Sequence, residues 1–306
     1  MPKTDTVQSA PVASKSRSLF EDALLRFKRN KRAMVGVAFI LFLCVVALGT
    51  LVIDFVTDNA IYEEVVIKQD LLNKLKEPNL ESFSNIFGRD EYGRSIIYRI
   101  IWGTRYSLFI GLMVVCLSCI LGGILGAIAG YFGGLVDNII MRIMDIFLAI
   151  PYTLFAIAIV STLGPSMVNL FISLSLPALP QYARITRASI MAVKGKEFVD
   201  AARAIGANNN TIIFKYLIPN SLSPIIVQTT TGIAQAILNI AALSFLGLGI
   251  QPPTPEWGSM LTAAKVYIRD AWHITVIPGL FIVLTTIAFN LFGDGLRDAL
   301  DPKLKN

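Results

Sequence analysis

Six long apolar runs constrain this chain more than any other feature of its sequence. A bilayer core of about 30 Å is crossed by about 20 mostly apolar residues in a helix, which satisfies the backbone hydrogen bonds internally. Hydrophobic residues make up 54% of the 306 residues and charged residues only 16%. We therefore predict an all-α, polytopic membrane protein with six transmembrane helices. The runs are residues 34–56, 108–129, 139–162, 167–183, 225–250 and 274–292.

The third and fourth runs are the least regular. Pro177 and Pro180 shorten the fourth run, and Arg142 and Asp145 lie early in the third. At a spacing of three residues, these two charged side chains face the same side of a helix, and charges inside a membrane are costly. They form either a structural ion pair near the cytoplasmic interface, which we favour, or part of the lining of a transport path.

Positive charge is divided unevenly between the two sides that six spans define. Of the 27 Lys and Arg residues, 18 fall on the side that holds both termini and nine on the other, whereas Asp and Glu divide 10 and 11. Because cytoplasmic loops carry the excess of Lys and Arg, we predict that both termini are cytoplasmic. The net charge of +6 thus reflects topology, and no basic stripe with interleaved aromatic residues indicates a nucleic-acid partner.

The spans divide the chain into five parts. Residues 1–33 are predicted to be a cytoplasmic tail, disordered over 1–17 and then helical and amphipathic, with Ser18 and Glu21 as a capping box. This helix either contacts a peripheral partner or, as we favour, anchors to the membrane surface. The other parts are the first span at 34–56, an external segment at 57–106, a five-helix core at 107–295 with a cytoplasmic loop at 184–219, and a cytoplasmic C-terminus at 296–306.

The sequence contains no motif for a catalytic or metal site. Walker A, HExxH and Ser-His-Asp sets are missing, so we predict that the chain is not an enzyme and binds no metal or cofactor of its own. The single histidine, His273, follows Trp272 at the external end of the last span, where ring side chains are common, and we expect a structural role for it. Cys44, Cys116 and Cys119 lie within apolar runs and indicate packing.

A stripe of small residues marks the second run. Gly122, Gly126 and Gly130 recur every four residues, so they share one face of a helix. Small residues let another helix approach closely inside a membrane, where no hydrophobic effect drives helices together. We expect this stripe to serve packing within the chain.

The cytoplasmic loop at 184–220 is the most informative segment. Residues 197–205 favour a helix, and Gly206 follows where a helix closes with a residue at positive φ. The asparagines at 208–210 supply turn and cap chemistry for a second helical piece at 211–217, and Pro219 is placed in the first turn of the fifth span. A helix followed by a glycine turn and a second helix is suited to mechanical coupling with a soluble partner. The alternative interpretation is a simple surface loop.

This loop resembles the EAA loop of ABC importer permeases. The family pattern is Glu-Ala-Ala, three residues, Gly, nine residues, Ile, one residue, Leu-Pro; here Asp200-Ala201-Ala202, Gly206 and Tyr216-Leu217-Ile218-Pro219 stand at the same spacing. The chain departs from the pattern at Asp200, Tyr216 and Ile218. The resemblance implies that the loop inserts into a groove of an ATPase subunit. The coupling residues that we predict on this basis are Glu197, Asp200, Ala201, Ala202, Arg203, Gly206 and Pro219.

Three further stretches resemble the permease C subunit of oligopeptide and dipeptide ABC importers. They are FGRDEYGRSIIYRIIWGTRYSL at 87–108, LSFLGLGIQPPTPEWGSM at 243–260 and GDGLRDALDPKL at 293–304. The resemblance implies a type I ABC importer permease fold in a bacterial cell membrane. It also implies a homologous permease as heterodimer partner and two ATP-binding subunits that use ATP and Mg. An extracytoplasmic peptide-binding protein would dock on residues 57–106 and 249–273, where Trp257 and the proline cluster predict a stiff external loop.

Two other functions remain open from the sequence alone. An ion-coupled secondary transporter would have the same composition, but such proteins place ionisable residues centrally, and central charges are scarce here. A membrane scaffold without transport activity would not need the glycine-centred loop. Related importers take dipeptides, longer peptides, nickel chelates or glutathione; we favour peptides on the resemblance, and the substrate-binding residues are unknown.

Overall fold

The computed structural model describes residues 19–300, with side chains from residue 23 onward. The predicted disordered tail, the Ser18–Glu21 capping box and the last six residues of the C-terminus lie outside the described residues. Within the described residues there is no β-strand, only an isolated bridge between Arg89 and Ser95. The all-α fold class is confirmed.

Ten helices of eight or more residues organise the described chain, and the longest connection between them is the segment at 57–95. They are α1 (Leu19–Arg29), α2 (Lys31–Val56), α3 (Ile96–Phe132), α4 (Gly134–Ala149), α5 (Tyr152–Leu163), α6 (Met167–Lys194), α7 (Glu197–Ala204), α8 (Leu222–Phe245), α9 (Trp257–Ala264) and α10 (His273–Leu300). Short helical turns occur between α2 and α3, between α7 and α8, and after α9.

Four of these helices, α2, α3, α8 and α10, are long and apolar enough to cross a membrane, and α4 with α5 would make a fifth span. Helix α6 has 28 residues but contains Pro177 and Pro180 and continues past the predicted end at 183 to Lys194. The chain is a multi-pass membrane protein, and the count of six spans stays a prediction.

The third apolar run was predicted to be one helix, and this prediction is wrong. Helices α4 and α5 meet at an angle of 87° across the break at Ile150 and Pro151. Proline has no backbone N–H and pushes the residue before it out of the α conformation, so the helix ends there. Phe147 and Phe155 pack edge to face across the bend, with ring centroids 5.3 Å apart.

Several predicted boundaries also move, and the last helix continues to Leu300 instead of ending at residue 292. Helix α3 begins at Ile96 instead of residue 107 or 108, so the segment between α2 and α3 ends at Ser95. Its first turns are buried against the rest of the chain through Ile96, Arg99 and Trp102, which lengthens the helix beyond its apolar run. Helix α8 ends at Phe245, five residues before the predicted limit, because Gly247 adopts a positive φ of 82°.

The glycine stripe of α3 packs against α6, as expected. A Cβ on Gly122 would stand 2.6 Å from the Leu179 carbonyl oxygen, and one on Gly126 would overlap the Ala183 carbonyl. The Ser118 hydroxyl donates to the Ser175 carbonyl of α6 over 3.0 Å. The two helices therefore approach at backbone distance, and the stripe serves packing within the chain.

The N-terminal helices close the other side of the bundle. Phe27 of α1 packs edge to face on Phe292 of α10 at 5.7 Å, so α1 lies against the C-terminal part of α10. Asp54 near the end of α2 pairs with Arg105 of α3 and accepts a 2.9 Å hydrogen bond from the Trp102 indole nitrogen. These contacts tie α1 and α2 to the helices that carry the site described next.

Candidate functional site

The loop between α6 and α8 folds as a helix, a glycine turn and a second helical stretch. Helix α7 ends at Ala204, and Gly206 has φ +84°. No atom lies within 4 Å of a Cβ built on Gly206, so the backbone conformation and not lack of space calls for glycine. The predicted helix stop at Gly206 is confirmed.

The second stretch begins with an asparagine cap. The Asn208 side chain accepts a 2.8 Å hydrogen bond from the Thr211 backbone N–H, as cap chemistry requires. Three consecutive helical pieces follow, and the middle one has π-helical hydrogen bonding: Asn209–Thr211, Ile212–Leu217 and Ile218–Asn220. Pro219 lies in the last of these, before α8 begins at Leu222, so its predicted place in the first turn of that span is wrong.

Burial divides the predicted coupling residues into two sets. Ala202 is buried together with Val199, three residues earlier on the same face of α7. This face lies over an apolar cluster to which the second helical stretch contributes Ile212, Ile213 and Leu217. The other predicted coupling residues are exposed, and all of them except Pro219 lie on α7 or its glycine turn. They are Glu197, Asp200, Ala201, Arg203, Gly206 and Pro219.

Tyr131, near the end of α3, joins this loop to the membrane helices. Its phenol donates a 2.6 Å hydrogen bond to Oδ1 of Asn209, and its backbone carbonyl accepts from the Lys194 ammonium. The Arg203 guanidinium stands 5.9 Å from the centroid of the Tyr131 ring. The sequence analysis missed Tyr131; its position directly after the glycine stripe was the only available signal.

A groove of about 340 Å³ opens between α7 and the turn that joins α3 to α4. Asp200 and Arg203 form one rim and pair over 3.3 Å, although both side chains are exposed. On the α4 side, the Asp137 carboxylate accepts two hydrogen bonds from the Arg187 guanidinium, which holds α4 to α6. An exposed pair contributes little to stability, so Asp200 and Arg203 are available to a partner.

Arg142 and Asp145 form the ion pair that their spacing predicted, but the pair is long and exposed. Their closest charged atoms are 3.9 Å apart, and the Arg142 side chain is 85% exposed. Asp145 also forms a closer pair with Arg184 of α6, with Nη2 and Oδ1 2.7 Å apart. Spacing along one helix carries no information about this second partner, which lies 39 residues later in the chain.

The region around α9, where a docking surface was expected, contains buried residues. Trp257 is 0% exposed, and its indole nitrogen donates to the Ile100 carbonyl over 3.2 Å. Trp257 therefore fills a site in the chain's own core and is not part of the exposed surface of the segment that was expected to receive a binding protein. The adjoining prolines are held by Arg99, which donates to the Pro253 carbonyl over 3.1 Å.

Two acidic side chains lie in this region, of which Glu256 is buried and Glu91 is half-buried. Glu256 caps α9 by accepting hydrogen bonds from the backbone N–H groups of Gly258 and Ser259, over 2.7 and 2.8 Å. Burial raises the pKa of the Glu256 carboxyl, although these hydrogen bonds oppose the shift. Burial, and then the charge of Asp90, likewise raise the pKa of Glu91.

His273 is buried at the start of α10, with Nε2 3.3 Å from the Arg89 carbonyl oxygen, in keeping with a structural role. Trp272 beside it is exposed. In α3, the Cys119 sulfur receives a hydrogen bond from Thr229 at 3.6 Å, as a packing residue does. Residues 19–300 contain no cluster of three or more His, Cys, Asp or Glu side chains able to hold a metal.

Comparison with known families places these features in context. Residues 122–306 match the family described as "Binding-protein-dependent transport system inner membrane component", more than half of the chain. Residues 18–78 match the "N-terminal TM domain of oligopeptide transport permease C".

Individual proteins show the same similarity. The chain is 41% identical over 302 residues to the dipeptide transport system permease protein DppC of Haemophilus influenzae, covering 98% of this chain and 100% of the relative. It is 46% identical over 283 residues to the di/tripeptide transport system permease protein DppC of Pseudomonas aeruginosa, covering 92% and 91%. It is 42% identical over 283 residues to the glutathione transport system permease protein GsiD of Escherichia coli, covering 92% and 89%.

Solved structures share the fold at lower sequence identity. The inward-facing MetNI methionine ABC transporter has a chain that aligns with a TM-score of 0.55 and 18% identity, covering 67% of this chain and 98% of that one. A chain of an amino acid ABC transporter aligns with a TM-score of 0.53 and 14% identity, covering 66% and 94%. The predicted permease fold is confirmed.

Proposed function

Because the chain belongs to the family of binding-protein-dependent transport system inner membrane components, we propose that it is a permease subunit of an ATP-driven importer of short peptides. The similar dipeptide, di/tripeptide and glutathione permeases support this substrate class. Their named substrates are all short molecules with amide bonds and free carboxylates. Nickel chelates, which the sequence analysis left open, have neither a matching relative among these nor a metal-binding cluster within residues 19–300 to support them.

One observation carries the mechanical part of the proposal. Helix α7 presents Asp200, Ala201 and Arg203 to solvent while Val199 and Ala202 attach it to the chain's own apolar cluster. The small Ala201 side chain permits close approach of a partner, and the charged pair offers contacts at the rim. An ATPase subunit that grips this surface would move α7 and the second helical stretch as one piece.

That motion has a direct route into the membrane. The Tyr131–Asn209 hydrogen bond connects the loop to the end of α3, and α3 packs at backbone distance on α6. Pushing the loop would therefore displace α3 and α6 together, which is the kind of rigid-body change that switches a transport path between the two sides.

The proposal includes four partners and one orientation. A homologous second permease would complete the path, two ATP-binding subunits would bind ATP and Mg, and an extracytoplasmic binding protein would deliver the peptide. This chain would bind no cofactor and hydrolyse no ATP itself. The excess of Lys and Arg on the side of the termini supports a cytoplasmic position for the termini and for α7.

Reconstitution separates this function from the two alternatives. Proteoliposomes containing the complete complex and binding protein should accumulate a labelled dipeptide only with internal ATP, and a protonophore should leave the initial rate unchanged. Uptake that needs an ion gradient and no ATP would identify a secondary transporter. No uptake under either condition, from a complex shown to be assembled, would favour a scaffold.

A further inference from the structure

A polar cavity without charged residues opens on one face of the helical bundle. Its volume is about 620 Å³. Five of its lining residues carry side-chain amides, and they come from three helices, α6, α8 and α10: Gln181, Gln228, Gln235, Asn239 and Asn290. None of the residues that line this cavity is Asp, Glu, Lys or Arg.

Four of these amides lie in α8 and α10, which are long and apolar enough to cross a membrane, Gln181 lies in α6, and all five remain accessible. Gln181, Gln235 and Asn290 are exposed, and Gln228 and Asn239 are half-buried. Gln235 stands near the middle of α8, which crosses the apolar layer. Lipid offers no hydrogen-bond partner, and an unpaired amide in such surroundings costs several kcal/mol, so this face must meet water, a partner chain or a polar ligand.

The cavity also leaves hydrogen-bonding capacity unused. Tyr182 lines it, and its hydroxyl is buried without a hydrogen-bond partner among the described residues. Gln235 donates to Asn239 over 3.2 Å, which leaves the rest of both amides open. Primary amides donate and accept at once, as do the N–H and C=O groups of a peptide bond.

From this geometry we propose that the amide-lined cavity is this chain's peptide-contacting surface, which hydrogen-bonds the substrate backbone and ignores the charge of its side chains. The inference rests on the proposed function and adds a site and a selectivity rule to it. A neutral lining neither attracts nor repels cationic or acidic side chains, whereas amide groups match the feature that all peptides share. Selection by sequence then lies outside this cavity.

Introducing a charge into the cavity tests the rule. In proteoliposomes with the complete complex, Gln235→Glu should shift the ratio of lysyl-dipeptide to glutamyl-dipeptide uptake toward the lysyl peptide by about two- to fivefold, the range for a solvent-exposed ion pair. Gln235→Lys should shift the ratio in the opposite direction. Asn138→Asp, the corresponding change from amide to carboxylate at an exposed site of α4 outside the cavity lining, should leave the ratio at the wild-type value.

Different results would contradict the proposed function and the peptide-contacting cavity. If wild-type complexes take up no peptide with ATP, the proposed function is wrong. If wild type transports both peptides but both Gln235 variants keep its uptake ratio, or shift it in the reverse directions, the cavity does not contact the peptide and this inference is overturned.

A second measurement covers variants that fail to assemble. In complexes whose three native cysteines are replaced by alanine, Gln181→Cys should react with a water-soluble maleimide, and saturating dipeptide with binding protein and ATP should slow the reaction. Val45→Cys, on the exposed apolar face of α2, should react poorly and without dependence on peptide. A Gln181→Cys reaction that is absent or insensitive to peptide contradicts the proposal.

Discussion

The phenol oxygen of Tyr131 donates a 2.6 Å hydrogen bond to Oδ1 of Asn209 and so joins the end of α3 to the helical stretch that follows the glycine turn. Around it, Arg203 of α7 lies over the same ring and Lys194 of α6 donates to the Tyr131 carbonyl. Elements from both ends of the loop therefore converge on one side chain of a membrane helix.

Removing this hydroxyl should loosen the connection without unfolding the loop. Tyr131→Phe keeps the buried ring but removes the donor, a change that costs about 1 kcal/mol, equivalent to about a fivefold change in an equilibrium. We expect fewer peptides transported per ATP hydrolysed, measured as the ratio of uptake to phosphate release in proteoliposomes. Tyr98→Phe, near the other end of α3, is the control. An unchanged ratio in Tyr131→Phe would show that the hydrogen bond transmits nothing.

The glycine stripe provides a test of packing between α3 and α6. Gly126→Ala should strongly lower the midpoint of thermal unfolding in detergent, because its Cβ would overlap the Ala183 backbone, which has no room to move. Gly123→Ala is the matched control, since the nearest atom to its Cβ is the Thr186 hydroxyl at 3.8 Å. Its midpoint should stay equal or rise, because alanine favours helices by about 1 kcal/mol. Equal effects of the two changes would contradict the backbone contact.

The pair formed by Asp54 and Arg105 holds α2 against α3, and both side chains are largely buried. Asp54→Leu alone should destabilise the fold by about 3–5 kcal/mol, since it leaves a buried cation without its partner. Adding Arg105→Met should recover most of that loss, because two apolar side chains replace the pair. Urea unfolding of the two single variants and the double variant measures the coupling. Additive losses would mean that Asp54 acts through the Trp102 hydrogen bond alone.

Structural features that depend on one short segment could be predicted from the sequence. The stop at Gly206, the Asn208 cap and the glycine stripe depend on the backbone and spacing of neighbouring residues, and the structure contains all three. The break at Pro151 could also have been predicted, because proline restricts the conformation of the residue before it. It was missed because the run is continuously hydrophobic and was therefore taken as one span.

Contacts between segments that are distant in the sequence could not be predicted from it. Asp145 pairs with Arg184, 39 residues later, and Trp257 is buried against Ile100, 157 residues earlier. Trp257 beside a proline cluster predicts a stiff loop when the sequence is considered alone. Only the folded arrangement of α3, α9 and α10 shows that the indole occupies a core position.

We propose that the exposed face of α7 receives an ATPase subunit. Ala201 provides the most direct test, because it is exposed on α7 while its neighbour Ala202 is buried, so enlarging it should block docking and spare the fold. The measurement is co-purification of the ATP-binding subunits, together with ATP-dependent dipeptide uptake, for Ala201→Phe and for the control Ala60→Phe, an exposed alanine between α2 and α3. We predict that Ala201→Phe inserts normally but loses both the ATP-binding subunits and uptake, whereas Ala60→Phe keeps the ATP-binding subunits. Wild-type co-purification and uptake with Ala201→Phe would contradict the account.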